Sequence, residues 1–289
     1  MSNLLDISTP TKIDTLALVR KIRAYEPNIV EIIFDYVFVP CFEDKEGKYK
    51  YIRAMPDPVT KTISYGAFYN NKTLEMIIID DSVKTIGYCA FHGLSELKSI
   101  TINDSVLIIG DNAFYGCKKL RTITIPKSVT SIGNWAFNSC TNLRDIIIPN
   151  SVKTIGMCAF AYCSKLAEVT IPDLVKTIER DAFWECSDMT HLTIGKSVKT
   201  IECDAFCMCY NLISIIFCNS IRTIESRAFY GCSKLTQVTI PDSVKNIGNS
   251  AFDDCPSLRE VSIPSHLEKQ VKTNEVFPEH TKIIVRPAL

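Results

Sequence analysis

Apolar and polar residues alternate in short bursts along most of the chain, and residues 113–134, AFYGCKKLRTITIPKSVTSIGN, show the unit that is repeated. Leu120, Ile123 and Ile125 are apolar, with Thr122 and Thr124 between them. Alternation carried by β-branched residues predicts a short strand with one face buried. Pro126 ends that strand, because it lacks a backbone donor and fixes its own φ. A second extended piece, Val129 to Ile132, leads to Gly133 as a corner residue, and Ala113 and Phe114 open a compact turn or short helix that brings the chain back.

The unit recurs every 23 residues, marked by Phe68, Phe91, Phe114, Phe137, Phe160, Phe183, Phe206, Phe229 and Phe252. A period of this length, held without insertion, predicts one coil of a solenoid per unit, since a single extra residue would displace every later coil. Equivalent strands then lie side by side in a parallel sheet about 4.8 Å apart, and nine coils give a body on the order of 40 Å long. No coil buries its apolar residues alone, so the Leu, Ile and Phe columns form one continuous core, with each buried Phe or Ile contributing roughly 1.5–3 kcal/mol.

A stack has two ends to cover, and the flanks are placed there. Residues 1–55 form an N-terminal cap: Ile13, Leu16, Ala17, Ile22 and Tyr25 predict one helix, and Pro27 opens a second through Ile29, Val30, Ile33, Phe34 and Val37. The repeats occupy 56–264. In 265–289 the period breaks, with Phe277 arriving 25 residues after Phe252, and TKIIVRP reads as a last strand whose Pro287 stops further pairing.

Composition removes several classes of function. Across 289 residues, 32 basic side chains balance 32 acidic ones, so no global field draws the chain to nucleic acid or an anionic membrane. The opening residues lack a basic start followed by a long apolar stretch, and no window approaches a membrane span. With 13 cysteines and no visible leader, a reducing cytoplasm is the expected location.

The pattern Leu-x-x-Ile-x-Ile-Pro-x-Ser-Val-x-x-Ile-Gly-x-x-Ala-Phe-x-x-Cys, seen in LRTITIPKSVTSIGNWAFNSC from Leu120 to Cys140, resembles leucine-rich repeats of the BspA-like type over about residues 56–264. The resemblance implies a right-handed leucine-rich-repeat solenoid, with its parallel sheet on the concave side and short turns or helices on the convex side. It also implies recognition of proteins or surfaces rather than catalysis. Many relatives are secreted adhesins of bacteria and protists, and others occur in large DNA viruses. Separately, EPNIVEIIFDYV is similar over about twelve residues to the opening of an F-box, through Pro27, Ile33, Phe34, Tyr36 and Val37. That likeness implies a ubiquitin-ligase adaptor whose residues 27–37 dock the ligase linker protein.

The chemistry-bearing columns divide into structural and recognition groups. Cys117, Cys140, Cys163, Cys186, Cys209, Cys232 and Cys255 each follow the repeat Phe by three residues and read as a ladder of small buried hydrophobes. Cys203, Cys207, Cys209 and Cys218 are the off-pattern cluster, but their spacing is not a paired Cys-x-x-Cys, and no metal or cofactor is expected. His92, His191, His266 and His280 fall in unrelated phases, outside any His-Glu-x-x-His motif, so no catalytic residues are assigned. The varied positions seven and eight residues after Phe carry Arg121, Arg144, Asp145, Glu168, His191 and Glu260, which are assigned to partner binding on the concave face.

A second stripe runs through Lys84 and, in consecutive coils, Lys153, Lys176, Lys199, Arg222 and Lys245. Glu179, Glu202 and Glu225 stand three residues farther on, so the stripe reads as a solvated face with a nearby counter-charge. Val and Thr flank it instead of aromatics, which argues against a nucleic-acid groove. The expected function is a non-enzymatic protein-recognition scaffold. The alternatives are the F-box-like adaptor, or a surface adhesin if the chain is exported.

Overall fold

A computed structural model describes residues 39–43 and 49–287. The F-box-like segment, residues 27–37, and the two helices expected in residues 13–37 lie outside the described residues. The segment assigned to the N-terminal cap also contains β1 (Val39–Glu43), which pairs antiparallel with β2 (Tyr49–Ala54). From β2 onward the pairing is parallel, and the chain builds a solenoid of stacked coils.

Three stretches of each coil bond to neighbouring coils. The first is a long ladder made of β2, β4 (Met76–Ile79), β6 (Ser99–Thr101), β8 (Thr122–Thr124), β10 (Asp145–Ile147), β12 (Glu168–Thr170), β14 (His191–Thr193), β16 (Ser214–Ile216), β18 (Gln237–Thr239) and β20 (Glu260–Pro264). The second is a short ladder of Thr-Ile type: β3 (Thr62–Ile63), β5 (Thr85–Ile86), β7 (Ile108–Ile109), β9 (Ser131–Ile132), β11 (Thr154–Ile155), β13 (Thr177–Ile178), β15 (Thr200–Ile201), β17 (Thr223–Ile224) and β19 (Asn246–Ile247). Within each ladder the paired strands of the repeats run in register, each residue beside the one 23 positions away, as in Ile123↔Ile146 and Ile201↔Ile224. β2 meets β4 at a longer offset, as in Tyr51↔Met76, and strand pairing is interrupted between β6 and β8, β10 and β12, β16 and β18, and β11 and β13. In the long ladder the middle residue points inward, so Ile123, Ile146, Val169 and Leu192 are buried.

The third stretch is the Ala-Phe turn, where the sequence suggests a turn or short helix. Alternate N–H groups there donate to the following coil: Asn112 to the Asn134 carbonyl, Phe114 to Ala136 and Gly116 to Asn138, at 2.7–2.8 Å. This ladder depends on two residues per coil in the left-handed region, one on each side of the Phe. They include Trp135, Cys158, Asp181 and Arg227 before it, and Ser139, Tyr162, Glu185 and Met208 after it. Each non-glycine residue there costs roughly 1–2 kcal/mol. The bonds between coils offset that cost.

The repeat glycines before the Phe, by contrast, are not the left-handed ones. Gly133 is required by proximity: a Cβ on it would lie 2.5 Å from the Asp111 nitrogen and 2.6 Å from the Gly110 carbonyl carbon. The corner works through close approach of two backbones, and the φ freedom expected of Gly133 is not what it supplies.

Between the ladders, the Phe rings form one column, each stacked on the next from Phe68 to Phe277 with centroids 4.9–5.4 Å apart. Stacked pairs contribute about 0.5–1.5 kcal/mol beyond the area they bury. The in-phase cysteines sit beside this column. Cys163 Sγ lies 3.2 Å from the Phe137 carbonyl of the preceding coil, and Cys117, Cys140, Cys186, Cys209, Cys232 and Cys255 repeat that contact at 3.2–3.6 Å. The ladder is therefore polar as well as space-filling: each thiol donates to a carbonyl of the preceding turn. At the C-terminal end, α1 (Glu268–Thr273) and β21 (Lys282–Arg286) close the stack, with β21 parallel to β20.

Candidate recognition surface

The outward residues of the long-ladder strands line the same side of successive coils. Arg121, Arg144, Asp145, Glu168 and His191 are all exposed and occupy four consecutive coils, so the structure brings them together. Arg144 N–H donates to the Arg121 carbonyl at 2.9 Å, which sets the two guanidinium-bearing residues side by side. Glu168 pairs in register with His191, whose Nδ1 lies 4.0 Å from the Glu168 carboxylate and 2.9 Å from Thr190 Oγ1. Glu260 stands apart, three coils beyond His191, where Lys282 of β21 reaches it at 3.5 Å.

Sequence reasoning missed the apolar members of this face. Two residues beyond Asp145, Ile147 is 81% exposed, and Ile78 (41%) and Ile216 (62%) hold the same position in their coils. Other coils place Thr or Ser there: Thr101, Thr124, Thr170, Thr193, Thr239 and Ser262. The isoleucines recur every third coil, about 14 Å apart by strand spacing. The signal lay in comparing one outward column across coils, because within IIIP at residues 146–149 hydropathy alone does not separate Ile147 from its buried neighbours.

The short-ladder face carries the basic stripe. Lys153, Lys176, Lys199, Arg222 and Lys245 are exposed, and among the described residues none has a carboxylate within ion-pair distance. Glu179, Glu202 and Glu225, the nearby acidic residues, form no ion pair with the stripe among the described residues. Glu202 instead turns to the corner and accepts the Arg180 N–H at 3.1 Å. Burial, then the neighbouring Glu202 carboxylate, raises the pKa of Glu179 above the usual carboxylate value.

Within the cluster Cys203, Cys207, Cys209 and Cys218, three thiols meet different partners. Cys209 faces the Phe183 carbonyl, Cys207 meets Arg227 at 3.8 Å, and Cys218 contacts Ser220 Oγ at 3.2 Å and lies 3.6 Å from the Val198 carbonyl. Burial pushes the Cys207 thiol up to about 11 and drives Cys163 and Cys186 well above their ordinary value. These thiols are protonated at neutral pH, so they are poor ligands and poor nucleophiles. Among the described residues no helix is long and apolar enough to cross a membrane.

Stacked parallel coils with a fixed 23-residue register define a repeat solenoid, and a family model places it further. The model for the BspA type leucine rich repeat region matches residues 61–190 and 176–281, and the chain belongs to this family. Repeat families of this kind are generally non-enzymatic scaffolds. A leucine-rich repeat protein of Bacteroides ovatus, 21% identical, aligns over 87% of this chain and 98% of its own with a TM-score of 0.54, which supports the fold. The pneumococcal vaccine antigen PcpA is 20% identical over 86% of this chain and 82% of its own, with a TM-score of 0.48. The T. pallidum leucine rich repeat protein is 21% identical over 86% and 97%, with a TM-score of 0.45. No curated protein is significantly similar in sequence.

Proposed function

We propose that the chain is a protein-recognition scaffold, and that it binds another protein through the long-ladder face, the side that the family resemblance makes concave. The observation that carries this reading is the exposed Ile147, two residues from Asp145 and paired in register with a strand that carries Thr124 at the same position. An apolar anchor ringed by charges has the make-up of a binding hot spot, where burial supplies affinity and the rim supplies selectivity. Ile216 offers a second anchor, with Ile213 also exposed beside it. Twelve cysteines of the repeats are free, ten of them buried, and this supports a reducing, cytoplasmic location.

Ile147→Thr and Ile216→Thr install the residue other coils carry at that position, so the fold should keep its melting temperature. Partner proteins retained by the wild-type chain, identified by mass spectrometry, should be lost by the double variant, and by Arg144→Ala with Glu168→Ala. Equal retention by wild type and variants removes the proposal.

A further inference from the structure

We infer that the row Lys153, Lys176, Lys199, Arg222 and Lys245 is a docking rail for an acidic α-helix of a protein partner, laid along the solenoid axis. This surface is separate from the long-ladder face, and the inference does not rest on it.

The row is ordered by the backbone beneath it. Lys199 N–H donates to the Lys176 carbonyl at 2.8 Å, Arg222 to Lys199 at 2.7 Å, and Lys245 to Arg222 at 2.8 Å. Lys176, Lys199, Arg222 and Lys245 are therefore spaced by the parallel-strand repeat, about 4.8 Å, and Lys153, which leads into β11 of the adjoining sheet, extends the row by one more coil to about 19 Å. None is matched by a carboxylate among the described residues, so the row carries an uncompensated like-charge repulsion that an anionic partner relieves. Glu179, Glu202 and Glu225 form no ion pair with the row among the described residues, and Glu202 is engaged at the corner.

Spacing selects the partner. Carboxylates on one helix face, at i, i+3, i+7, i+10 and i+14, sit at about 0, 4.5, 10.5, 15 and 21 Å along its axis. The cations sit at about 0, 4.8, 9.6, 14.4 and 19.2 Å. The two series stay within about 2 Å of each other, inside the play of a lysine side chain. Same-face residues of an extended strand fall about 6.7 Å apart, and by the fifth position they are out of step by about 8 Å. Single-stranded nucleic acid needs bases stacked on aromatics, and the residues flanking the row are Val175, Thr177, Val198 and Thr200.

The test uses the full chain and two helix-forming peptides of about 20 residues, some 30 Å long. One carries Glu on a single face, and the other has the same composition with Glu spread around the helix. The single-faced peptide should bind at low ionic strength, and the spread peptide about tenfold more weakly. Lys153→Gln, Lys176→Gln and Lys199→Gln together should weaken the first peptide by about tenfold or more with the melting temperature unchanged, and Lys→Arg at the same three positions should restore it. Three outcomes overturn the inference: equal affinity for the two peptides, no loss in the triple Gln variant, or tighter binding of heparin or a single-stranded oligonucleotide than of the single-faced peptide.

Discussion

The coils around Gly133 and around Glu202 follow the same path but solve one problem in opposite ways. In both, the corner residue donates its N–H to an isoleucine of the preceding coil, Gly133 to Ile109 at 2.8 Å and Glu202 to Ile178 at 2.9 Å. The next N–H along falls outside the turn ladder and needs an acceptor. In the glycine coils the preceding coil supplies it: Asp111 Oδ1 takes the Asn134 N–H at 2.8 Å, and Asn134 Oδ1 takes that of Met157 at 2.8 Å. At the acidic corners the direction reverses: Arg180, which follows the Glu179 corner, donates its N–H to the Glu202 carboxylate of the next coil at 3.1 Å. A repeat can thus keep its backbone while the capping group changes both chemistry and direction.

Four measurements sharpen this contrast. The core is common to both kinds of coil, so Phe160→Ala and Phe206→Ala should each cost about 3–5 kcal/mol in denaturant unfolding. A clear difference between them would show that corner chemistry reaches the core. Gly133→Ala places a Cβ against backbone and should cost about 1–3 kcal/mol, whereas a corner tolerant of side chains throughout would give no loss. Glu202→Ala strips Arg180 of its acceptor and should cost about 1 kcal/mol, while Glu202→Gln, which keeps an acceptor oxygen, should lie close to wild type.

The smallest effect is in the pH dependence, and it has opposite sign at the acidic corners and at Asp80, beside Arg53 of the first coil. Glu179 and Asp181 hold their protons more tightly folded than unfolded, through burial first and then the carboxylates of Glu202 and Asp204. Their contribution to stability therefore declines as pH rises from ordinary carboxylate values through the raised folded ones. Glu179→Gln should remove part of that decline in melting temperature. Asp80 behaves in reverse: burial opposes its charge, but hydrogen bonds from Ser82 and the Arg53 guanidinium at 2.8 Å win, and its pKa is lowered. The stability it gives is present above the usual carboxylate range and is lost as pH falls through the lowered value, so Asp80→Asn should flatten the acid limb.

The fold was legible in the sequence wherever a column was nearly invariant. The Phe, Ile and Cys positions each have one environment, so periodicity alone puts them in the core. The left-handed residues were hidden because their side chains vary from Trp135 and Cys158 to Arg227, and the bonds holding them run between coils. Glu202 shows a second limit: three residues from Lys199 in sequence, it bonds backward to Arg180, and direction is invisible in spacing. Ile147 shows a third, since an isoleucine in an apolar run reads as core until its column is compared with Thr124 and Thr170. At the candidate face, the charged residues were found by their variability, while the anchors were not.

The three ladders have a consequence for how such a chain can change length. Most partners in these ladders are separated by about one period, whether near the first coil or the last, as Lys84 N–H to the Lys61 carbonyl and Lys245 N–H to that of Arg222 show. The loop closed on adding a coil therefore stays the same size however many coils precede it, and its entropic cost does not accumulate. Insertions or deletions of whole multiples of 23 residues rejoin matching edges, whereas any other length misaligns all three ladders at once. Length is thus a quantised variable for this gene, open to duplication and loss by the coil.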